Sequence, residues 1–321
     1  MLSRWIGIGH PPVVRKHFVF SGEDGKELYG TKYLAEPSRG AIQIIHGMAE
    51  HRKRYSEFSR DLASRGYSVY VYDQRGHGET AIENDDRLGH LPPETGWRKL
   101  FRDLHSHLKF VRAEEKGKPI YVFGHSMGSF VVRDFITDHG RKLDGVILSG
   151  SGKLNALSLK LITPIAKLEK CLFGEEKESR LVEKVLFSSN NDHFQPSDTP
   201  YDWLSRDREA VQRYIADELS GFSCTTGFYD AFISGLRKLA GRDSFEKVPE
   251  DFKILFISGE KDPVGGPEVI DLAREYSRAG VSDVDYKIYP EARHELIHEI
   301  NRDKVVKDVV SWLSGKGVNP S

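Results

Sequence analysis

Residues 119–129, which read PIYVFGHSMGS, constrain the fold more than any other part of the chain. An apolar, β-prone run passes through Gly124-x-Ser126-x-Gly128 and continues into a helical pattern. In so sharp a turn the strand and the helix nearly touch, so the flanking positions must lack side chains, and both are glycine. Ser126 at the apex is expected to have a strained backbone. The segment therefore predicts a buried strand that turns directly into a helix.

Short apolar segments alternate with amphipathic helical segments along much of the chain, which is typical of a mainly parallel sheet with helices on both faces. The segments at 16–20 and 28–34 flank turn residues and predict an N-terminal antiparallel hairpin. The buried-strand candidates lie at 41–45, 68–72, 120–123, 145–148, 254–257 and 284–289. The sequence thus predicts an α/β protein with about eight strands.

One stretch interrupts this alternation. Between 149–152 and about residue 254 the pattern is mostly helical, which we interpret as an insertion between two strands. The predicted organisation is an α/β core of residues 1–152 and 228–321 with a helical cap at 153–227.

Composition excludes several classes of protein. The chain has 47 Lys and Arg residues against 48 Asp and Glu, a balance that argues against a nucleic-acid partner. No apolar run approaches the roughly 20 residues of a membrane helix, and the N-terminus lacks the features of a secretory signal, so we expect a cytoplasmic protein. Cys171 and Cys224 are expected to be free thiols, and the chain has no CxxC pair that would indicate a metal site.

Ser126 is the candidate nucleophile, and a serine needs a base that is oriented by a carboxylate. In a sheet of this kind the acid and then the base follow late strands. Asp262 is favoured as the acid over Glu260, because Pro263 helps to fix the loop after it. His294 follows the last strand and is favoured as the base over His298.

An acyl-transfer site also needs two backbone N–H groups that point at the developing oxyanion. Met127 follows the nucleophile, and Met48 lies in the loop after the first parallel strand, where Gly47 permits close approach. We expect Gly47 and His125 to contact the substrate. The nearby motif at 73–78, DQRGHG, is interpreted as a loop lock rather than a catalytic or metal-binding cluster.

Taken together, these residues resemble the α/β-hydrolases of the monoacylglycerol lipase and lysophospholipase group, also called serine aminopeptidase S33-like hydrolases. The resemblance covers roughly residues 14–314. The sequence departs from the family pattern at Thr80, where a serine is frequent, and at Ser129, where a second glycine is frequent. The motifs are HGMAEH at 46–51 with RY at 54–55, DQRGHG at 73–78, GHSMG at 124–128, SGEKD at 258–262, and His294.

The resemblance implies the α/β-hydrolase fold, cleavage of an acyl chain from glycerol or glycerophospholipid esters, a cap that forms the acyl tunnel, and no cofactor. The expected function is therefore a serine carboxylester hydrolase that acts on a monoacylglycerol, a lysophospholipid or a short-chain acyl ester. The charged, amphipathic pattern of the cap is compatible with transient contact with a membrane surface. It is also compatible with a cap whose apolar face covers the protein's own core.

Two alternatives stay open at this point. The first is an α/β-hydrolase of other specificity, such as a proline-type aminopeptidase, a thioesterase or a carbon–carbon hydrolase. A peptidase would need an acidic group in the cap to hold the substrate amine, and Asp198, Asp202 and Glu209 are candidates. The second is a binding protein that has kept the fold without catalysis.

Overall fold

The computed structural model describes residues 13–241 and 243–318. Within them, eight strands form one sheet in the order β1-β2-β4-β3-β5-β6-β7-β8. β1 and β2 form the predicted hairpin, β2 is also antiparallel to β4, and the other neighbouring pairs are parallel. The strands are β1 (Val14–Ser21), β2 (Glu27–Leu34), β3 (Gly40–Ile45), β4 (Tyr67–Tyr72), β5 (Ile120–His125), β6 (Gly145–Ser149), β7 (Lys253–Gly259) and β8 (Asp283–Tyr289).

Helices cover both faces of the sheet, and side chains of β3 alternate between the two resulting cores. Ala41 and Ile45 pack with α3, α4, α8 and α10 on one face, while Ile42 and Ile44 pack with α1 and α11 on the other. The helices are α1 (Ser56–Ser64), α2 (Gly78–Glu83), α3 (Gly96–Glu114), α4 (Met127–His139), α5 (Ala156–Phe173), α6 (Arg180–Phe187), α7 (Arg208–Ile215), α8 (Thr226–Leu239), α9 (Asp243–Glu246), α10 (Val269–Arg278) and α11 (Arg302–Leu313). The predicted α/β architecture is confirmed.

Helices α5 to α9 lie between β6 and β7 in the chain. α8 packs closely on the core, since a Cβ atom at Gly235 would lie 2.0 Å from the Trp97 ring. α5 packs on α8 through buried Leu159, Ile162 and Ala166. Among the helices of the described residues, none is long and apolar enough to cross a membrane.

The carboxyl ends of the parallel strands meet at one edge of the sheet, as the topology of such sheets requires. The Ser126 N–H donates to the carbonyl of Ser149 at 2.9 Å, which joins the end of β5 to the end of β6. The Gly150 N–H donates in turn to the carbonyl of Ile257 in β7 at 3.1 Å. The loops that follow these strands are therefore held side by side; Ser126 follows β5 and Asp262 follows β7, while His294 lies in the loop after β8, the neighbour of β7.

Candidate active site

Ser126 occupies the junction between β5 and α4 with φ of 50° and ψ of −121°, an unfavourable conformation for a residue with a side chain. The glycines on either side are required sterically. A Cβ atom at Gly124 would lie 2.8 Å from Ser129 Cα, and one at Gly128 would lie 2.2 Å from the Ile45 carbonyl oxygen. The strand, turn and helix therefore have the sharp geometry that the sequence predicts.

His294 and Asp262 are joined by a 2.8 Å contact between Nδ1 and Oδ1, and both side chains are buried. The carboxylate of Asp262 is fixed further by the Val264 N–H at 2.8 Å and the Ser258 hydroxyl at 3.2 Å. A histidine that donates from Nδ1 to a carboxylate keeps Nε2 available as a proton acceptor. Since His294 and Ser126 line the same cavity, the arrangement fits an acid, a base and a nucleophile in series.

The electrostatics of this pair agree with its geometry. Burial by itself would lower the pKa of His294, but the charge of Asp262, its hydrogen bond and the charges of Glu295 and Glu50 together outweigh burial, so the pKa is raised above its ordinary value. Burial would raise the pKa of Asp262, yet the adjacent imidazole and the backbone N–H groups lower it. The pair therefore favours an imidazole that accepts a proton readily.

The two competing residues lie elsewhere. Glu260 accepts a hydrogen bond from the Glu291 N–H at 3.0 Å and does not line the cavity. His298 is buried in the next turn, where burial lowers its pKa to about 4, and it does not line the cavity either. The structure thus brings Asp262, and not Glu260, to His294.

Met48 and Met127 both line the cavity beside Ser126. In the described part of the chain, neither backbone N–H donates to a protein acceptor, so both are available to an oxyanion. Met127 is the first residue of α4, where the partial positive charge of the helix N-terminus adds to the effect.

Gly47 and His125, the two residues expected to contact substrate, also line this cavity. A Cβ atom at Gly47 would lie 3.3 Å from Ser126 Cβ, so glycine keeps the loop close to the nucleophile. The His125 ring lies 4.7 Å from the His294 ring, and burial followed by the neighbouring His294 lowers its pKa to about 4. The His125 imidazole is therefore uncharged and lines the cavity beside His294.

Sequence reasoning missed a buried ion network behind the loop at 46–51. Glu50 accepts hydrogen bonds from the Gly47 N–H at 2.5 Å and the Tyr55 hydroxyl at 2.8 Å, and its second oxygen pairs with Arg54 at 2.7 Å. Arg54 also forms a two-pronged pair with Glu295, both contacts being 2.6 Å. The network ties the candidate oxyanion loop to the residue that follows His294.

This network is held in its charged form. Burial would raise the pKa of Glu50, but Arg54, the neighbouring His125 and His46, and the Tyr55 hydrogen bond together outweigh burial, so the pKa is lowered. Burial would lower the pKa of Arg54, but Glu295 and Glu50 raise it. The four-residue spacing of Glu50 and Arg54 was a visible signal, whereas their link to Glu295 joins loops 241 residues apart.

The 73–78 motif locks loops together, in agreement with its interpretation. Asp73 pairs with the Arg52 guanidinium and accepts hydrogen bonds from the N–H groups of Arg52 at 2.7 Å and Glu79 at 2.9 Å. His77 Nε2 accepts from the Ala49 N–H at 3.2 Å and so braces the loop that carries Met48. Neither Asp73 nor His77 lines the cavity.

The cavity has a volume of about 710 Å³ and lies between the sheet edge and the segment at 180–232. The Trp203 ring lies 5.0 Å from the His294 ring, tilted by 37°, and lines one side of the site. The apolar and aromatic wall of the cavity includes Met48, Met127, Phe130, Phe187, Pro200, Tyr201, Trp203, Leu204, Tyr214, Phe222, Tyr229, Phe232 and Val264. Among the described residues, no cluster of His, Cys, Asp or Glu is arranged to hold a metal ion.

Known proteins resemble this chain over nearly its whole length. It is 26% identical over 304 residues to a monoacylglycerol lipase of Mycolicibacterium smegmatis, which covers 93% of this chain and 97% of the relative. It is 24% identical over 274 residues to the human monoglyceride lipase, with 82% of this chain and 81% of the relative covered.

Solved structures also resemble this chain over most of its length. A carboxyl esterase from Bacillus coagulans in complex with glycerol superimposes with a TM-score of 0.86 at 28% identity, covering 94% of this chain and 98% of that chain. A soluble variant of the Saccharomyces cerevisiae monoglyceride lipase, at 20% identity and a TM-score of 0.71 over 97% of this chain and 98% of that one, shares the fold.

The Hydrolase_4 family, described as serine aminopeptidase S33, matches residues 36–301. The chain therefore belongs to that family and is an α/β-hydrolase of the group that includes the monoacylglycerol lipases.

Proposed function

We propose that the protein is a serine carboxylester hydrolase that cleaves an acyl ester through an acyl-enzyme on Ser126. The observation that carries this proposal is the shared cavity: Ser126 on its strained turn and His294, hydrogen-bonded to Asp262, line the same apolar pocket. Relatives and a structural neighbour that are named as ester hydrolases support it.

The geometry leads to a two-step mechanism. His294 takes the hydroxyl proton of Ser126 as the oxygen attacks the ester carbonyl, and the Met48 and Met127 N–H groups receive the resulting oxyanion. When the carbon–oxygen bond to the alcohol breaks, the imidazolium donates the proton to the leaving alcohol. A water molecule, deprotonated by the same imidazole, then attacks the acyl-enzyme and releases the carboxylic acid and free Ser126.

The proposed substrates are a monoacylglycerol, a lysophospholipid or a short-chain acyl ester. The mostly apolar wall of the cavity fits an acyl chain, and its volume of about 710 Å³ falls within the range of pockets that enclose a small-molecule ligand. The residues at 153–227 are proposed to act as a cap over this cavity, with the core formed by 1–152 and 228–321. A cytoplasmic location stays a prediction.

The aminopeptidase alternative has no support at the three acids first considered. Asp198 pairs with Arg208 at 2.8 Å on the surface, Asp202 accepts from the Asp198 N–H at 2.7 Å, and the Glu209 side chain is 90% exposed. None of them lines the cavity.

We further propose that the cap touches membrane surfaces transiently through α5. Along one face this helix exposes five large apolar residues, while Lys160 and Lys167 beside them are exposed cations. An apolar stripe flanked by lysines is the pattern of a helix that lies in a lipid interface. The five residues are Leu157, Leu161, Ile165, Leu168 and Leu172.

Release of fatty acid tests the proposed function. A long-chain monoacylglycerol, a lysophospholipid and a short-chain aryl ester are offered in parallel to the protein and to Ser126→Ala. We expect hydrolysis by the wild type only, with the long-chain glycerol substrate favoured at least about tenfold in kcat/KM, or about 1.4 kcal/mol of transition-state binding. Turnover of the aryl ester alone would contradict the lipid assignment, and equal turnover by Ser126→Ala would contradict the whole site.

A further inference from the structure

A second cavity lies between α4, α8, α9 and α10, and it shares no lining residue with the active-site cavity. Its volume of about 410 Å³ falls within the range of pockets that enclose a small molecule. No step of the proposed mechanism uses this second cavity. The apolar part of its wall includes Leu154, Leu239, Ala240, Phe245, Leu272 and Ala279.

Arg133 on α4 places a buried cation in the wall of the second cavity, since this residue is only 1% exposed. Its Nε donates to the Tyr276 hydroxyl at 3.3 Å, and its Nη1 donates to the Gly152 carbonyl at 2.9 Å and to the Ser151 hydroxyl at 3.5 Å. The Phe130 ring lies 5.6 Å from its Cζ. Among the described residues, Nη2 has no hydrogen-bond acceptor and the guanidinium has no carboxylate within ion-pair distance.

The other four charged residues of this wall are accessible to solvent and carry two charges of each sign. Lys153 and Glu275 form an ion pair at 2.6 Å, and their side chains are 46% and 31% exposed. Arg278 and Glu246 are exposed as well. Because these four charges balance and stay hydrated, the charge that a ligand meets in the shielded part of the cavity is the guanidinium of Arg133.

A buried guanidinium that has only neutral partners keeps part of its desolvation cost, and an anion would relieve that cost. The N–H groups of Nη2 are the donors that remain for such an anion, and arginine forms strong, charge-assisted hydrogen bonds with carboxylates. The apolar part of the wall gains nothing from a bare inorganic anion, whereas a hydrocarbon chain would be removed from water there. The cavity therefore fits a carboxylate that carries an apolar chain.

We propose that the second cavity is a binding site for a carboxylate with a short hydrocarbon chain. The carboxylate accepts hydrogen bonds from Nη2 of Arg133, and the chain packs against apolar residues such as Leu239 and Leu272. The inference goes beyond the proposed function, because it assigns a ligand to a cavity outside the active site and does not depend on catalysis. It predicts that an anionic amphiphile binds more tightly than a cationic one with the same chain.

Direct binding tests the proposal. Octanoate, octylammonium and inorganic phosphate are titrated by calorimetry into the wild type, Arg133→Met, Ala240→Trp and the matched control Arg141→Met. Arg133→Met removes the charge, Ala240→Trp fills the cavity while Arg133 stays in place, and Arg141 is exposed and outside the cavity. We expect both cavity variants to bind octanoate about tenfold or more weakly at this site, as loss of hydrogen bonds to a charged group does, and the control to bind it as the wild type does.

The position of the ligand is measured in crystals of the wild type soaked with 8-bromooctanoate, so the test stands even if a variant fails to fold. We expect anomalous bromine density in the second cavity and the carboxylate on Arg133. Bromine in the active-site cavity only, no bound ligand, or equal affinity for octanoate in all four folded proteins would overturn the proposal. Tighter binding of phosphate or octylammonium than of octanoate would overturn it as well. Because hydrolysis is not measured, a protein that binds octanoate here but cleaves no ester would contradict the proposed function alone.

Discussion

Ser126 combines a φ of 50° with a place at the start of α4, and both properties follow from the same turn. Strain at one residue persists only where the surrounding structure holds it, and here Gly124 and Gly128 allow strand and helix to approach. The sequence predicted this residue because the motif and its flanks are local. The sequence also favoured Asp262 over Glu260, through Pro263 alone; the contact of Asp262 with His294 depends on tertiary structure, since the two carboxylates are two residues apart in one loop.

Asp262→Asn should lower kcat/KM by about 10⁴-fold, because an amide favours the wrong histidine tautomer and no longer stabilises the imidazolium. The residual activity should also have its acid limb at lower pH, since the carboxylate that raises the pKa of His294 is gone. Steady-state kinetics with Glu260→Gln as the paired variant measures both effects. Greater damage from Glu260→Gln would contradict the assignment of the acid.

The activity should depend on pH through His294. The pKa of this residue is raised, so it is protonated, and unable to accept the Ser126 proton, below a pH that lies above the ordinary value of about 6.5. We expect kcat/KM to fall as the pH is lowered through that pKa, with a midpoint above about 6.5. A profile of kcat/KM for an uncharged aryl ester measures it, and a flat profile between pH 5 and 8 would exclude His294 as the base.

At the scale of elements, the loops after β3 and β8 are tied by the Glu50–Arg54–Glu295 network. Local pattern could not reveal the link to Glu295, because Arg54 and Glu295 are 241 residues apart in the chain. The exposed face of α5 illustrates a second limit. This helix is apolar on two sides, so its periodicity alone does not show which side is buried and which faces solvent.

Glu50→Gln should lower kcat by about 10- to 100-fold with a smaller effect on KM, because Glu50 positions the loop that supplies one oxyanion donor. Glu50 acts through Gly47 and Met48, so it is a positioning residue. Glu57→Gln, which changes a carboxylate that is 70% exposed, is the matched control. An unchanged kcat in a folded Glu50→Gln protein would show that the network is structural only.

The α5 stripe predicts binding to lipid. Leu161→Ser combined with Leu168→Ser should abolish sedimentation with anionic vesicles, since it removes two side chains that are 65% and 60% exposed. Ile82→Ser, which removes a 55% exposed apolar residue from α2, should bind vesicles as the wild type does. Equal binding by the double variant would refute the membrane contact, and melting temperatures confirm that each variant is folded.

At the scale of the whole molecule, one edge of a mainly parallel sheet gathers loops from the ends of β3, β5, β7 and β8 into a single site. The alternation of strands and helices made this edge predictable from sequence. The residues that line the cavity could not be predicted from the sequence. Residues of the inserted segment such as Glu183 and Trp203 reach the site through tertiary packing, which no local pattern encodes.

Covalent labelling tests the central claim most directly. The protein is treated with an organophosphorus probe directed at activated serines, and its intact mass and peptides are measured. The account predicts a single adduct on Ser126, absent in Ser126→Ala and formed far more slowly in His294→Ala. An adduct on another residue, or none in the folded wild type, would contradict a serine hydrolase built on Ser126.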